Sequence, residues 1–335
     1  MIPASISAIS VKRGELMKQI EVRPMVESGI LSSIATIFAL AGLVFPFFVF
    51  FIKLIGPLPI IVAGIRNGQR WSIMVTVIFC VMISVLINPL QGLKELVGPG
   101  FVGIILGYIF RMKFSTAKAI LWGVFVSLIS TAALLTINFA VMGVNPFLIP
   151  SEFDERMNIV IEQSLSAQKE NGTGEEELAR MKETMQNFVD FVKVIAPGSI
   201  IMSSVLIILL QILIAKKVLK RLGYNIADLP SFKNWDLPDY VVYFFALSLV
   251  MLYWGNSREI VLLSQIGTNL RAITSFFLLI QGLALFSYFA DKYKLSRMHR
   301  GIILILAFFS NLLVIAGAVD MVLDYRRLRG PYSKD

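Results

Sequence analysis

Apolar runs of membrane-crossing length alternate along this chain with short polar breaks, and most of the breaks carry Lys or Arg. A helix needs roughly 20 mostly apolar residues to cross the hydrocarbon core. The first predicted span starts near Ser28 and runs toward Pro46. Between Pro46 and Ile65 the chain turns and returns, with Pro46, Gly56, Pro57 and Pro59 supplying breaks, because Pro lacks a donor and disfavours helix just before it. That returning segment is short, and reads as tilted or partly unwound. A third span covers residues 71–87 and ends at Asn88-Pro89; a Gly-rich fourth closes at Arg111, Lys113 and Lys118. A fifth covers about 119–141, and a sixth about 194–215, ending in Lys216, Lys217, Lys220 and Arg221. Three further apolar runs follow, near 240–254, 272–290 and 301–322. The expected fold class is an all-α polytopic membrane protein with about eight or nine transmembrane helices.

Loops rich in Lys and Arg face the cytoplasm. That rule places the clusters at Arg66 and Arg70, at Arg111 and Lys113, and at Lys292, Lys294, Arg297 and Arg300 inside. Residues 1–28, with Lys12, Arg13, Lys18 and Arg23, read as a cytoplasmic N-terminal tail with no cleavable signal. Nine crossings then leave the tail 324–335, with Arg326, Arg327, Arg329 and Lys334, outside, against the charge bias. Either one apolar segment is re-entrant and eight cross, or the tail is a tolerated exception. Residues 29–220 form the expected six-helix membrane core, 221–238 a cytoplasmic linker, and 239–323 the C-terminal helices.

One polar insertion interrupts the pattern, at 143–193, and its acidic balance (Glu152, Asp154, Glu155, Glu175, Glu176, Glu177) places it outside. Phe153, Met157, Val160, Ile161 and Leu165 recur at helical spacing, as do Met181, Met185, Phe188, Val189 and Val192. With the turn at Asn171-Gly172-Thr173-Gly174 between them, they predict an external helical hairpin whose second arm continues into the sixth span. Thr173 and Glu176 are spaced as a capping box for that arm. The hairpin is either self-packed or a lid over an outward-facing cavity.

Composition agrees with the pattern: 56% of the 335 residues are hydrophobic and 16% charged, against about 25% charged in a water-soluble chain. The net charge of +9 is scattered among short loops, so it reads as topology and not as a nucleic-acid face. Cys80 stands alone in an apolar run, which leaves no intrachain disulfide and no multi-cysteine metal site.

Catalytic motifs are lacking. There is no P-loop lysine, no HExxH and no EF-hand loop, and the single histidine, His299, sits in a basic loop as a solvated residue. Gly98-Pro99-Gly100-Phe101-Val102-Gly103 matches GxGxxG, but it leads into a membrane helix with no strand before it and no acidic residue about 20 positions later. Gly100, Gly103 and Gly107 are read as helix-packing positions. No enzyme activity, metal or cofactor is expected. Polar groups at membrane depth are costly and face cavities or partners. Asn88, Asn138 and Gln211, with Lys94 and Glu95 beside the Gly-Pro break, are therefore the candidate ligand-binding residues, each set against a plainer helix-bonding or surface role. Gln281, Asn311 and Asp320 are the polar residues of the last three runs, with Asp320 read as snorkelling or paired to Arg. Ser32, Ala35, Ala39 and Gly42 put small side chains on one face of the first helix, either an internal seam or a docking face.

PLPIIVAGIRNGQRW, followed by a Gly-rich helix ending GYIFRMK, resembles the membrane core of substrate-binding (S) components of energy-coupling-factor vitamin transporters. That likeness covers about 29–220 and implies a six-helix S-component-like core whose AxxxA face, Ala35 and Ala39, docks on a coupling subunit served by ATPases. S components end after six spans, so the region 239–323 and the acidic insertion depart from the pattern. The linker PSFKNWDLPDY resembles the YybS-like family of membrane proteins of Gram-positive bacteria over nearly the whole chain, through Pro230, Phe232, Trp235, Leu237 and Pro238. Together these imply a multi-pass plasma-membrane protein in contact with lipid, transporter-like, binding an unknown small solute without its own ATPase and without nucleic acid. The alternative is a non-transporting scaffold for cell-envelope or sporulation proteins.

Overall fold

A computed structural model describes residues 4–142, 151–224, 226, 230–326 and 328. Among these residues every regular element is helical. The first helices are α1 (Ala4–Val44), α2 (Val49–Ile55), α3 (Leu58–Arg66), α4 (Gln69–Leu86), α5 (Pro89–Glu95), α6 (Phe101–Arg111) and α7 (Thr116–Met142). They are followed by α8 (Ser151–Glu170), α9 (Glu175–Arg221), α10 (Tyr240–Ser257), α11 (Val261–Lys292), α12 (Arg297–Phe309) and α13 (Leu312–Leu323). Among the described residues eight stretches are long and apolar enough to cross a membrane, Val22–Val44, Val49–Arg66, Gln69–Leu86, Pro89–Arg111, Ala117–Val141, Glu175–Arg221, Tyr240–Ser257 and Val261–Lys292, and a ninth if the bent pair Arg297–Phe308 and Leu312–Leu323 is one span. The fold is therefore polytopic and all-α, as the apolar pattern predicts.

The chain forms two compact units. The first comprises Met1–Pro146 and Ser204–Ala227. Here α1 begins at Ala4, where a tail was expected, because Gly14 and Pro24 are too isolated to stop a stretch otherwise made of helix formers. Two of its spans are broken. Gly56-Pro57 separates α2 from α3, and a π-turn at Leu96–Gly100 separates α5 from α6, with Gly98 off helical geometry at φ −78, ψ −105. A Cβ on Gly56 would lie 3.8 Å from the Pro99 ring, so the two breaks adjoin.

Glycine sets the packing around them. A Cβ on Gly103 would stand 2.8 Å from Ile60 Cβ, and one on Gly64 would stand 3.2 Å from the Gly107 Cα, so α3 and α6 meet nearly backbone to backbone. Gly123 of α7 gives the same clearance to Ile208 of α9. Ile60, Ile61, Phe79, Ile83, Leu106, Ile109, Ile208 and Ile212 fill the interior between these helices with no more than 2% exposure.

The second unit comprises Phe147–Ser203 and Asp228–Asp335. Its α8 and the first part of α9 are the two arms of the expected hairpin, joined by a turn with Gly172 at φ +85. The capping box does not form. Thr173 Oγ1 donates instead to Gln168 Oε1 at 3.3 Å, and the first helical backbone bond of α9 runs from Leu178 N to Gly174 O. α9 starts at Glu175, two residues past Thr173.

α10 and α11 pair closely where Gly255 faces Ser264 and Gly267 faces Leu252. α11 starts at Val261, eleven residues before the expected 272. The final apolar run is not one rod: α12 and α13 meet at 93°. Asn311 sits there in the left-handed region at φ 56, a conformation that Asn tolerates and apolar residues avoid. α13 then crosses α11 so tightly that a Cβ on Gly282 would overlap the Leu313 carbonyl oxygen, and one on Gly317 the Leu278 carbonyl oxygen.

Candidate functional site

Most of the polar residues expected to bind a ligand are engaged inside the first unit. Asn88 caps α5, its side chain accepting from Gln91 N at 2.7 Å. Gln91 in turn donates to Glu95 Oε1 at 2.9 Å, and Lys94 is half-buried beside them. Gln211 Nε2 donates to the Lys53 carbonyl at 2.9 Å, next to the Gly56-Pro57 break, while its Oε1 is buried without a hydrogen bond. Asn138 lies half-buried on α7. α5 therefore gathers Asn88, Lys94 and Glu95, while Gln211 serves to tie α9 to a broken span.

The small-residue face of α1 is an internal seam. Ser32 and Ala35 are 0% and 2% exposed, and Ser32 Oγ donates to Ser28 O at 2.7 Å and to Val75 O of α4 at 3.2 Å. Ala35 belongs to the core with Val75, Phe79 and Ile83; Ala39 packs at its edge, and Gly42 meets the Ile52 side chain. α4 covers Ser32 and Ala35, whereas Ala39 and Gly42 are only half-buried.

The linker of the second unit is held by an ionic clasp. Arg326 donates through Nε and Nη2 to Asp320 Oδ2 at 3.0 and 2.7 Å. Through Nη1 it donates to the carbonyls of Lys233 and Trp235 at 2.7 and 2.8 Å. Gln281 of α11 donates to Asp320 at 2.9 Å and to Asp236 at 3.1 Å, and accepts from Leu237 N at 3.1 Å. Trp235 closes the loop on itself, its indole donating to the Pro230 carbonyl at 3.1 Å and its ring meeting Phe232 edge-on at 5.2 Å. The side chains of Arg326 and Asp320 are 1% and 2% exposed, so the charges neutralise each other out of water.

A groove of about 730 Å³ lies in the same unit, between the hairpin and α11. Its walls are aliphatic: Val194, Pro197, Leu262, Ile266, Leu270 and Ile273. Its polar groups are the Asp154–Lys193 ion pair, which links α8 to α9, and the amides of Gln265 and Asn269. Asn269 has a second task. Its Oδ1 accepts from Gly198 N at 2.7 Å, one residue after Pro197, and its Nδ2 donates to Val194 O at 2.7 Å, three residues before it. Val194 O and Gly198 N are the partners of a single helical rung, so the amide braces α9 where Pro197 weakens it.

None of Asn88, Lys94, Glu95, Asn138 and Gln211 lines this groove. Gln265 and Asn269 fell outside the expected span because Ser264, Gln265, Thr268, Asn269 and Arg271 look like loop residues. The signal was present nonetheless: Leu262, Ile266 and Leu270 with Gln265 and Asn269 repeat at spacings of four, which puts them along a helix. Among the described residues no three His, Cys, Asp or Glu side chains gather into a metal-holding group.

The model of the family described as "Predicted membrane protein (DUF2232)" matches residues 33–321. A protein of Bacillus subtilis (strain 168) described as "Uncharacterized protein YybS" is 27% identical over 310 residues, covering 91% of this chain and 97% of that protein. No solved structure matches the chain. The family match runs from the seam on α1 through the broken spans to the buried Asp320 on α13, and the chain belongs to this family of membrane proteins.

Proposed function

We propose that this protein is a transporter-like receptor for a small amphipathic solute, a multi-pass plasma-membrane protein with a cytoplasmic N-terminus and no catalytic or ATP-hydrolysing site of its own. The groove between the hairpin and α11 supports the reading. Its volume of about 730 Å³ falls in the range of roughly 300–1,000 Å³ typical of ligand pockets. An aliphatic wall with an ion pair and two amides suits a molecule that has an apolar body and a polar or charged head. The solute is held in the second unit, by residues of α8, α9 and α11, and not by the six-helix core. Because α4 covers Ser32 and Ala35 of the small-residue face of α1, the proposal does not include docking of a coupling subunit on that face.

Native mass spectrometry of the protein extracted in mild detergent tests this reading against the variant Ile266→Trp, whose larger side chain fills the groove. The expected result is a bound small molecule on the parent protein that is lost from the variant at unchanged melting temperature. Equal occupancy in both, or none in either, is the behaviour of a scaffold and contradicts the proposal.

A further inference from the structure

The bent pair α12–α13 leaves and re-enters the same end of the second unit, and four polar contacts fix this. Asp291, at the end of α11, pairs with Arg300 in the first turns of α12 at 3.0 Å. The same carboxylate pairs with the Lys233 ammonium of the linker at 3.1 Å. Arg326, three residues beyond α13, donates to the carbonyl of that same Lys233 and to Trp235. Lys233 is thus held at its side chain by the end of α11 and at its backbone by the chain leaving α13.

Magnitudes separate a crossing from a return. The hydrocarbon core is about 30 Å thick. The start of α12 and the exit from α13 both converge on Lys233, one through Asp291 at its ammonium and the other at its carbonyl, so the two ends meet the same residue of the linker. α12 has 13 residues and at 1.5 Å per residue rises only about 20 Å. The 93° turn then sends α13 across α11 at Leu278 and Gly282 rather than onward. The outer faces of the pair are apolar and open, with Met298, Ile305 and Leu306 on α12 and Leu312, Ile315 and Val322 on α13 between 55% and 68% exposed. Lys292, Lys294 and Arg297 flank the start of α12 in the chain and are exposed, which complements anionic lipid headgroups.

We propose that α12–α13 is a re-entrant hairpin seated in a single leaflet of the bilayer, its apolar faces against acyl chains and its two ends on one side of the membrane. The chain therefore leaves α13 at Arg326 on the side of the basic 292–300 loop. Gln281, Asp320 and Arg326 form the polar clasp that turns the chain back. The proposal is independent of what occupies the groove.

Single cysteines test it in a Cys80→Ser background, at Lys294→Cys, Ser310→Cys and Ser333→Cys, with a membrane-impermeant maleimide applied to right-side-out and inverted vesicles. Melting in detergent first establishes that each variant matches the parent. The expected result is that Lys294→Cys and Ser333→Cys label from one and the same face. Ser310→Cys, at the bend, should resist the impermeant reagent from both faces and react with a permeant one. Labelling of Lys294→Cys and Ser333→Cys from opposite faces overturns the proposal, and so does labelling of Ser310→Cys by the impermeant reagent from either face.

Discussion

Replacing Arg326 with Met should loosen the C-terminal third of the protein more than any surface change could. Arg326 makes two bonds to Asp320 and two to backbone carbonyls, and its side chain is 1% exposed. Methionine keeps much of the volume and removes all four bonds. Asp320 Oδ1 already lacks a hydrogen bond, so the variant leaves a buried carboxylate supported only by Gln281. Removing one partner of a buried ion pair costs about 3–5 kcal/mol. For a unit of this size that corresponds to roughly 6–20 °C in melting temperature. Melting in detergent reads the loss, and limited proteolysis locates it, with cleavage expected near α13 before any in α10 or α11. Adding Asp320→Leu should recover more than about 1 kcal/mol, because the isolated charge is then gone. A stability loss for Arg326→Met of less than about 1 kcal/mol, or a double variant no better than the single, refutes the clasp.

The helix crossings allow sharper tests. Gly282→Ala places a Cβ on the Leu313 carbonyl, a backbone atom that cannot step aside, so α13 should shift at a cost of about 1–3 kcal/mol, read as lower melting; an unchanged melting point contradicts the close crossing. Asn269→Leu removes the two bonds to Val194 and Gly198; at roughly 1–2 kcal/mol for an interhelical amide in a membrane, faster amide exchange is expected around Pro197 and no change would argue against the brace. If the eight apolar stretches cross and α12–α13 is re-entrant as proposed, the two ends lie on one side, so reporter fusions at the two ends should give the same sign, and opposite signs would contradict that count.

Much of this architecture was legible because the apolar pattern and the charge breaks are strong local signals. The eight long helices, the Pro/Gly breaks of two spans and the hairpin of the acidic insertion follow from residues within a few positions of each other. Asp320 was readable as an Arg-paired residue, but Arg326 as its partner was not. The pair is six apart and meets only because Asp324 reverses the chain in the left-handed region at φ 44. The seam on α1 was ambiguous for a related reason: small residues at helical spacing show that something packs closely, and only the fold shows that it is α4 and not another protein. The groove was the least accessible. Asp154, Lys193, Gln265 and Asn269 come from three helices, and Gln265 and Asn269 lie where polarity masked the first turns of α11. The bend at Asn311 left one faint trace, a Ser-Asn pair inside an otherwise apolar run.

Photolabelling of native membranes with a diazirine-bearing amphiphile, mapped by peptide mass spectrometry, tests the solute site most directly. The account predicts labels concentrated on residues 193–197 of α9 and 262–273 of α11, and their loss in Ile266→Trp. Labels spread evenly over the exposed apolar faces, unchanged in that variant, would show that the groove binds nothing beyond bulk lipid.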